Sequence, residues 1–484
     1  MSNLENLQPR LLWKYFEEIC QIPRPSKKEE KIIAYLLKFA AEQGLEATRD
    51  EIGNVAIFKK ATKGKESVKP VVLQSHIDMV CEKHSDVQHD FENDPIIPRI
   101  EGEWIKANGT TLGADDGIGI ASQLAILASN DLEHGPIECI FTVDEETGLT
   151  GAFEMKPGFF TGKTLLNLDS EDEGELFIGC AGGVDTLATF TYDSRPVPSG
   201  YVAFKMDVKG LKGGHSGDDI HKGHGNSIKI LNRFLWKATM KYDICLSEFN
   251  GGNLRNAIPR EAAALFTIDA SYVENLKDDF ATFLAEVKEE LALTDAGVTM
   301  SLAEASIPAE SICESVQFDL LNSLYSCPNG VVAMSFEMPG LVETSTNLAS
   351  VKMIKDNQIL VTTSQRSSVN SAKVDVSQMV ESVFRLANAN VIHSDGYPGW
   401  KPNTNSEILR VTERAYKKLF GETPVVRAIH AGLECGLFLE KYPGLDMISF
   451  GPTIRGAHSP EERLDIPTTI KYWDLLIEVL REVK

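Results

Sequence analysis

Apolar runs that end directly in acidic residues or histidine constrain this chain more than any other feature of its sequence. The pattern, or a glycine-rich loop with the same residue types, occurs in Gln74–Asp78, Gly113–Gly117, Asp144–Glu146, Asn167–Asp169 and Gly456–Ser459. Carboxylates and imidazoles are ligands that zinc and manganese accept. Because a strand end is rigid and can open onto a cleft, the pattern predicts a metal site at the ends of buried strands.

The length of 484 residues exceeds the size at which one hydrophobic core usually stops growing. Strand and helix patterns alternate up to about residue 182, which predicts an α/β fold. The alternating polarity of residues 201–208 predicts antiparallel sheet in the middle of the chain. The α/β pattern returns near residue 399. We therefore predict a metal-binding catalytic domain formed by residues 1–182 and 399–484, with residues 183–398 inserted as an α+β domain.

Local signals predict the elements that lead to the candidate site. Ser26 and Glu29 have the spacing of a capping box, which predicts a helix that ends near Gly44. Apolar runs predict strands that are parallel for the most part, at residues 71–74, 137–143 and 165–168. A helix is expected at residues 118–127, behind the glycine-rich acidic loop.

Charge and composition exclude several classes of partner. The net charge of −22 disfavours a nucleic-acid surface, which needs clustered lysine and arginine. No apolar run approaches the ~20 residues of a membrane span, so no membrane partner is expected. The eight cysteines form no C-x-x-C pair, and the chain starts without a signal-peptide pattern. These features predict reduced thiols and a cytoplasmic location.

His76 and Asp78 stand two residues apart on a strand-like segment, so their side chains point the same way. We expect His76 to bind a metal while Asp78 accepts the other imidazole N–H and fixes the ring. A structural histidine is the alternative for this pair alone. In the next loop Asp115 is the better ligand and can bridge two metals, whereas Asp116 is expected to cap the following helix.

The remaining stretches complete a ligand set for two metals. Glu146 is assigned to metal and Glu145 to general base, because neighbouring carboxylates can divide these roles. Asp169 and His458 follow strand-like runs and should reach the same cleft. The expected first site is His76, Asp115 and Asp169; the expected second site is Asp115, Glu146 and His458.

The motifs together resemble the M20 metallopeptidases, most closely the aminoacyl-histidine dipeptidase branch. The residues that carry the resemblance are Gln74–Met79, Leu112–Gly117, Asp144–Gly148, Asn167–Asp169 and Gly456–Pro460. The resemblance implies an α/β, mixed-sheet, di-zinc catalytic domain with an inserted α+β lid domain. It implies two divalent ions, with Zn²⁺ favoured and Mn²⁺ or Co²⁺ as alternatives, and it allows a homodimer through the lid.

The same resemblance suggests further site residues. It implies that His215 polarises the scissile carbonyl, although a plain loop histidine is an open alternative. Asn253, Arg255 and Arg366 become candidates for binding the peptide carboxylate, since arginine matches carboxylate geometry. A surface salt bridge is the alternative for either arginine. Gly432 and Glu434 lie in a stretch that is similar to the family's substrate region, where Glu434 could meet a free amine.

These expectations predict a metallo-dipeptidase that hydrolyses small peptides through a metal-bridging water. Xaa-His dipeptides such as carnosine, and a broader set, are the expected substrates. A related aminopeptidase or an N-acyl amino acid amidohydrolase is the alternative among enzymes. A catalytically silent metal-binding or scaffold protein is the alternative of another class, and the presence of a spare base in Glu145 disfavours it.

Overall fold

The computed structural model describes residues 3–484 and divides the chain into two compact units. The first unit contains the described residues up to Gly179 together with Pro402–Ala428 and Leu433–Lys484. The second unit contains Cys180–Lys401 and the short segment Ile429–Gly432. The second unit is thus inserted in the sequence of the first, and the role of residues 183–398 as a lid stays a prediction.

The helices include several short ones beside the strands that carry the candidate site. Among residues 3–484, no helix is long and apolar enough to span a lipid bilayer. The α-helices are α1 (Arg10–Cys20), α2 (Glu30–Glu42), α3 (Ala114–Ala128), α4 (Glu145–Gly148), α5 (Thr150–Glu154), α6 (Ser227–Tyr242), α7 (Val273–Glu290), α8 (Glu314–Ser326), α9 (Asn370–Leu386), α10 (Glu407–Phe420), α11 (Glu434–Lys441) and α12 (Ile466–Glu482).

The strands are mostly short and belong to two large and two small sheets. Their bounds are β1 (Glu46–Arg49), β2 (Val55–Lys59), β3 (Val71–His76), β4 (Arg99–Glu101), β5 (Trp104–Lys106), β6 (Ile137–Thr142), β7 (Thr164–Asn167), β8 (Glu175–Cys180), β9 (Gly182–Thr191), β10 (Ser194–Pro196), β11 (Tyr201–Lys209), β12 (Cys245–Gly252), β13 (Ala262–Asp269), β14 (Thr299–Ala305), β15 (Glu310–Ile312), β16 (Gly330–Met334), β17 (Val342–Ile354), β18 (Gln358–Ser367), β19 (Asn390–His393), β20 (Val425–Ile429), β21 (Asp446–Ser449), β22 (Ile454–Arg455) and β23 (Arg463–Asp465).

The large sheet of the first unit has the strand order β1-β2-β6-β3-β7-β21-β8-β20. Its central strands β6, β3, β7 and β21 are parallel, whereas β1, β2 and β8 join by antiparallel pairing. The predicted mixed-sheet α/β class is confirmed, and the central strands β6, β3 and β7 are parallel neighbours. Strands β3 and β6 are buried along their whole length, as expected for strands covered on both faces.

Helix α3 is fixed to the central strands by a buried glutamine. Gln123 is completely buried, and its Nε2 donates to the carbonyl oxygens of Leu73 (2.8 Å) and Ile140 (3.2 Å). These acceptors belong to β3 and β6, so one side chain sets the position of α3 against both strands. The N-terminal end of α3, where Asp115 lies, is thereby held in register with the sheet.

The predicted capping box at α2 is wrong. The helix begins at Glu30, and Glu29 makes no side-chain cap. The Ser26 hydroxyl donates instead to Asp78 Oδ2 (2.7 Å), and Glu29 Oε1 accepts the N–H of Asp144 (3.0 Å). Both side chains therefore support loops that follow strands of the central sheet, a use that their local spacing does not reveal.

The second unit is built on a nine-stranded sheet with the order β14-β11-β13-β12-β17-β18-β9-β19, and β16 pairs with β17. Its pairings are antiparallel, and α6 and α9 pack against its strands. The α+β composition agrees with the prediction for the middle of the chain. In the core, Phe266 of β13 lies opposite Phe204 of β11 and Leu246 of β12.

Replacing Phe266 with alanine should lower the free energy of unfolding of the second unit by about 3–5 kcal/mol, because the ring is completely buried and its loss leaves a cavity. Phe336 is fully exposed, so Phe336→Ala is the matched control and should change this energy by less than about 0.5 kcal/mol. Urea unfolding followed by circular dichroism measures both. Equal midpoints for the two variants would contradict the position of Phe266 in the core.

Candidate metal centre

The candidate ligands lie at one edge of the central sheet. His76 is the last residue of β3, Glu145 and Glu146 follow β6, and Asp169 follows β7. These three strands are neighbours and run parallel. Their carboxyl ends therefore meet at the same edge, which is where ligands bind in open α/β sheets.

Asp115 reaches this edge through an irregular start of α3. Gly113 has a φ of +69°, a left-handed conformation that suits glycine. Asp115 and Asp116 are not yet helical, and the peptide bond between them is cis. Asp116 Oδ1 accepts the N–H of Gly119 at 3.1 Å, so Asp116 acts as the helix cap expected from the sequence. Asp115 is left to face the strand ends.

The structure brings together both predicted ligand sets. His76 Nε2 lies 3.0 Å from Asp115 Oδ1 and 3.6 Å from Asp169 Oδ1. His458 Nε2 lies 3.1 Å from Asp115 Oδ2 and 3.1 Å from Glu146 Oε2. In each set the potential ligand atoms lie within 4.8 Å of one another. Asp115 is common to both sets, as a bridging ligand must be, and metal binding by these residues stays a prediction.

The electrostatics of the cluster fit bound cations. Burial raises the pKa of Asp169 to about 7 and that of Glu145 well above its ordinary value. Hydrogen bonds to Asp115 and Glu146 raise the pKa of His458 to about 11. Among the described residues, Glu146 Oε1 is buried and has no hydrogen-bond donor. So many enclosed carboxylate oxygens are costly unless positive charge compensates them, which divalent cations would do.

Asp78 connects His76 to the residues after β6. It is completely buried, and its Oδ1 lies 3.4 Å from His76 Nδ1. The same carboxylate accepts the N–H of Glu145 (3.0 Å) and of Glu146 (3.2 Å), and the hydroxyl of Ser26. Although burial opposes it, the contact with His76 lowers the pKa of Asp78. Asp78 therefore lies on the Nδ1 side of the ring, where the predicted orienting partner is expected, although no hydrogen bond joins the two groups.

Two further carboxylates beside the cluster are protonated more readily than usual. Burial, reinforced by the Asp169 carboxylate, raises the pKa of Glu145, as suits a general base. Glu434 is buried, and burial raises its pKa to about 8. Its Oε2 accepts from Gln74 Nε2 (2.6 Å) and Thr142 Oγ1 (2.9 Å). The predicted contact of Glu434 with a substrate amine is not tested by these bonds.

His215 belongs to the second unit and has a defined tautomer. Its Nδ1 accepts the backbone N–H groups of Gly217 (3.3 Å) and Asp218 (3.2 Å). An Nδ1 that accepts places the proton of the neutral ring on Nε2. The side chain is one-third exposed, so this N–H can reach a ligand. His215 could thus donate to a carbonyl oxygen, and its predicted role stays a prediction.

The candidates for binding a carboxylate differ in burial. Asn253 and Arg255 are exposed, and Arg255 Nη1 forms an ion pair with Asp185 Oδ2 at 3.0 Å. This geometry fits the alternative of a surface salt bridge. Arg366 is only 7% exposed, and its Nη1 donates to the Tyr397 hydroxyl at 3.1 Å. Within the described chain no acceptor lies near Arg366 Nε, so Arg366 retains capacity for an anion.

Gly432 lies against the ring of Tyr397, within the second unit. A Cβ added at Gly432 would come 2.8 Å from this ring, and one added at Gly183 would come 2.7 Å from it. The absence of side chains at both positions therefore lets the backbone flank Tyr397 closely. The sequence predicts Gly432 as a site residue but not Tyr397, because a tyrosine in a turn-rich segment carries no signal of its own.

Sequence reasoning also missed two buried charged residues in the first unit. Arg24 is 3% exposed, and Glu462 is 2% exposed. Both contact the backbone around Gly113. The only local signals were the two prolines that flank Arg24 and the four-residue separation of Glu462 from His458. Neither signal predicts a contact with a distant loop.

Comparisons with known proteins cover nearly the whole chain. Residues 72–482 match the model of peptidase family M20/M25/M40. The chain is 45% identical over 483 residues to the cytosol non-specific dipeptidase of Escherichia coli K12, covering 100% of this chain and 99% of that protein. The crystal structure of aminoacylhistidine dipeptidase from Vibrio alginolyticus is 46% identical and has a TM-score of 0.94, covering 100% and 98% of the two chains. A tripeptidase from Staphylococcus aureus covers 99% of both chains with a TM-score of 0.57 at 16% identity, which shows likeness of fold alone.

The range matched by the family model contains all five predicted metal ligands. The resemblance that the motifs indicated is therefore confirmed over the part of the chain where the strand ends and the candidate ligands lie. The chain belongs to peptidase family M20/M25/M40.

Proposed function

We propose that this protein is a dipeptidase that depends on two divalent metal ions. The observation that carries the proposal is the shared position of Asp115 between two sets of ligands, with Glu145 beside them. The printed names of two relatives, a cytosol non-specific dipeptidase and an aminoacylhistidine dipeptidase, support small peptides as substrates. We infer that Xaa-His dipeptides are included in a broader set. The name of the first relative supports a cytoplasmic location, and a homodimer through the second unit stays a prediction.

We infer that His76, Asp115 and Asp169 hold one ion and that Asp115, Glu146 and His458 hold the other. Two imidazoles with carboxylates favour Zn²⁺, and Mn²⁺ and Co²⁺ accept the same ligands. Bound ions of this kind supply Lewis-acid polarisation of a peptide carbonyl and lower the pKa of water.

The residues of the chain supply the proton transfers. Glu145 takes a proton from the attacking water as its oxygen bonds to the peptide carbon, and the carbon–nitrogen bond breaks as Glu145 delivers that proton to the leaving amine. The raised pKa of Glu145 suits both steps, since a pKa closer to the working pH lets the same carboxyl group take a proton and return it. The Nε2–H of His215 is proposed to donate to the carbonyl oxygen. Asp78 keeps the ring of His76 oriented.

The ends of the substrate are proposed to be bound by charged residues. Arg366 is the preferred partner for the peptide carboxylate because it is buried and retains donor capacity. Arg255 and Asn253 are exposed and would contribute less. Glu434 is proposed to accept the free amine, and Gly432 is proposed to contribute to substrate binding through its close contact with Tyr397.

Removing metal with a chelator should abolish hydrolysis of dipeptides, and adding back Zn²⁺, Mn²⁺ or Co²⁺ should restore it.

A panel of substrates tests the preference for dipeptides. The panel should contain carnosine, other Xaa-His and non-histidine dipeptides, tripeptides and N-acyl amino acids, with the released amino acid quantified. We expect dipeptides to be the best substrates. Preferred cleavage of tripeptides or N-acyl amino acids would instead identify the protein as an aminopeptidase or a deacylase, and metal-loaded protein that cleaves nothing would contradict an enzymatic role.

The variant Glu145→Gln should lower kcat by about 10²–10⁴-fold, because the amide cannot take a proton from water. Its content of bound metal should equal that of the unchanged protein, since the metal assignment uses Glu146. The matched control is Glu154→Gln, an exposed glutamate on the next helix. Elemental analysis and steady-state kinetics measure the two properties. A Glu145→Gln protein with full turnover would refute the assignment of the base.

The variant Arg366→Met should raise the KM for dipeptides by about 10–100-fold, since hydrogen bonds to charged groups contribute about 1.5–3 kcal/mol. Dipeptides with an amidated carboxyl end lack the carboxylate, so they should bind equally poorly to the wild-type protein and to Arg366→Met. Arg255→Met is the matched control, because this arginine is exposed and already paired with Asp185. Melting temperatures verify folding. A larger effect at Arg255 than at Arg366 would reverse the assignment of the carboxylate contact.

A further inference from the structure

Four consecutive backbone N–H groups around the start of α3 converge on one side chain. Glu462 Oε2 accepts from the N–H of Leu112 (2.7 Å) and Gly113 (2.9 Å). Glu462 Oε1 accepts from the N–H of Ala114 (2.7 Å) and Asp115 (3.3 Å). A buried N–H without an acceptor is costly, and a carboxylate is a strong acceptor for such groups. The conformation of this loop therefore depends on Glu462.

The position of Glu462 in the chain gives this contact a second consequence. Glu462 follows His458 by four residues, and its own N–H donates to the carbonyl oxygen of Ser459 (3.0 Å). One carboxylate thus joins the loop that carries His458 to the loop that carries Asp115. These are the two residues whose side chains meet at 3.1 Å in the second ligand set.

Arg24 contacts the same loop through the carbonyl group of Gly113, whereas Glu462 contacts the N–H groups of the loop. Its guanidinium donates to the carbonyl oxygens of Gly113, Ile77 (3.1 Å) and Asp78 (2.7 Å). A Cβ on Gly113 would lie 2.6 Å from Arg24 Nη2, so glycine is required where the arginine approaches. The N–H of Gly113 points to Glu462 while its carbonyl accepts from Arg24. The Gly113 carbonyl and the N–H of Ala114 form one peptide group, which is held between the opposite charges of Arg24 and Glu462.

We propose that Glu462 is a positioning residue that arranges Asp115 and His458 for metal binding before the ions arrive. The inference rests on the proposed metal site and extends it to a residue that touches no metal. Because Asp115 is shared, loosening its loop should weaken both sites. Partners that orient metal ligands typically change metal affinity by about 10–100-fold when they are replaced.

The test compares Glu462→Gln with the unchanged protein. Glutamine has nearly the same shape but presents an NH₂ group to two of the four N–H donors and carries no charge. We expect metal-free Glu462→Gln protein, titrated with Zn²⁺ and with Mn²⁺ in a calorimeter, to bind both metal equivalents about 10–100-fold more weakly than the wild-type protein does. Dipeptide hydrolysis by the Glu462→Gln protein should recover towards the kcat of the wild-type protein as the metal concentration is raised. The exposed neighbour Glu461, which pairs with His84 at 3.3 Å, gives the matched control Glu461→Gln with unchanged affinity.

A second variant covers the case in which Glu462→Gln does not fold. Glu462→Asp keeps the charge but is one methylene shorter and cannot reach all four N–H groups, so it should also bind both ions more weakly. Unchanged metal affinity in a folded Glu462 variant would overturn the positioning role, even if the melting temperature of the metal-free protein fell. If the wild-type protein bound no metal ion at all, this result would overturn the proposed function and the positioning role with it.

Discussion

The enclosure of several carboxylates at one sheet edge is the constraint on which the rest of this structure depends. Asp115, Glu145, Glu146 and Asp169 lie around two imidazoles, and burial raises the pKa of Glu145 and Asp169. Such an arrangement is unfavourable by itself, because charges removed from water need a partner. Divalent cations would compensate these charges, which is why the residues that look destabilising are the candidate metal ligands.

Holding these groups together requires buried side chains that hydrogen-bond to the backbone of the surrounding loops. Asp78 accepts two N–H groups at the start of α4 and lies beside His76, while Glu462 accepts four N–H groups around the start of α3. Arg24 donates to the carbonyl groups of Ile77 and Asp78, which follow β3, and to that of Gly113, which precedes α3. The loops that carry Asp115 and Glu146 are thus each held by a buried carboxylate that accepts backbone N–H groups. Preorganisation of this kind avoids an entropic cost when the ions bind.

The second unit contributes a different chemistry. Its antiparallel sheet carries a buried arginine, Arg366, with a tyrosine beside it, and a histidine, His215, whose ring nitrogen Nδ1 is occupied by backbone donors. These groups donate hydrogen bonds and are suited to oxygen atoms of a peptide. The first unit, in contrast, presents acceptors. The buried donor Arg366 and the candidate metal ligands therefore belong to separate parts of the sequence.

The sequence by itself determined the family, the mixed α/β class and the identity of the clustered ligands. Those inferences rest on local patterns: an apolar run predicts a strand, and the polar residues that follow it lie at the strand's end. Only the tertiary structure decided that Ser26 and Glu29 support the site instead of capping a helix, and that Arg366 is buried whereas Arg255 is exposed. It also decided that Arg24 and Glu462 meet at Gly113. Contacts between a side chain and a distant backbone leave no periodic trace, because they depend on which loops the fold brings together.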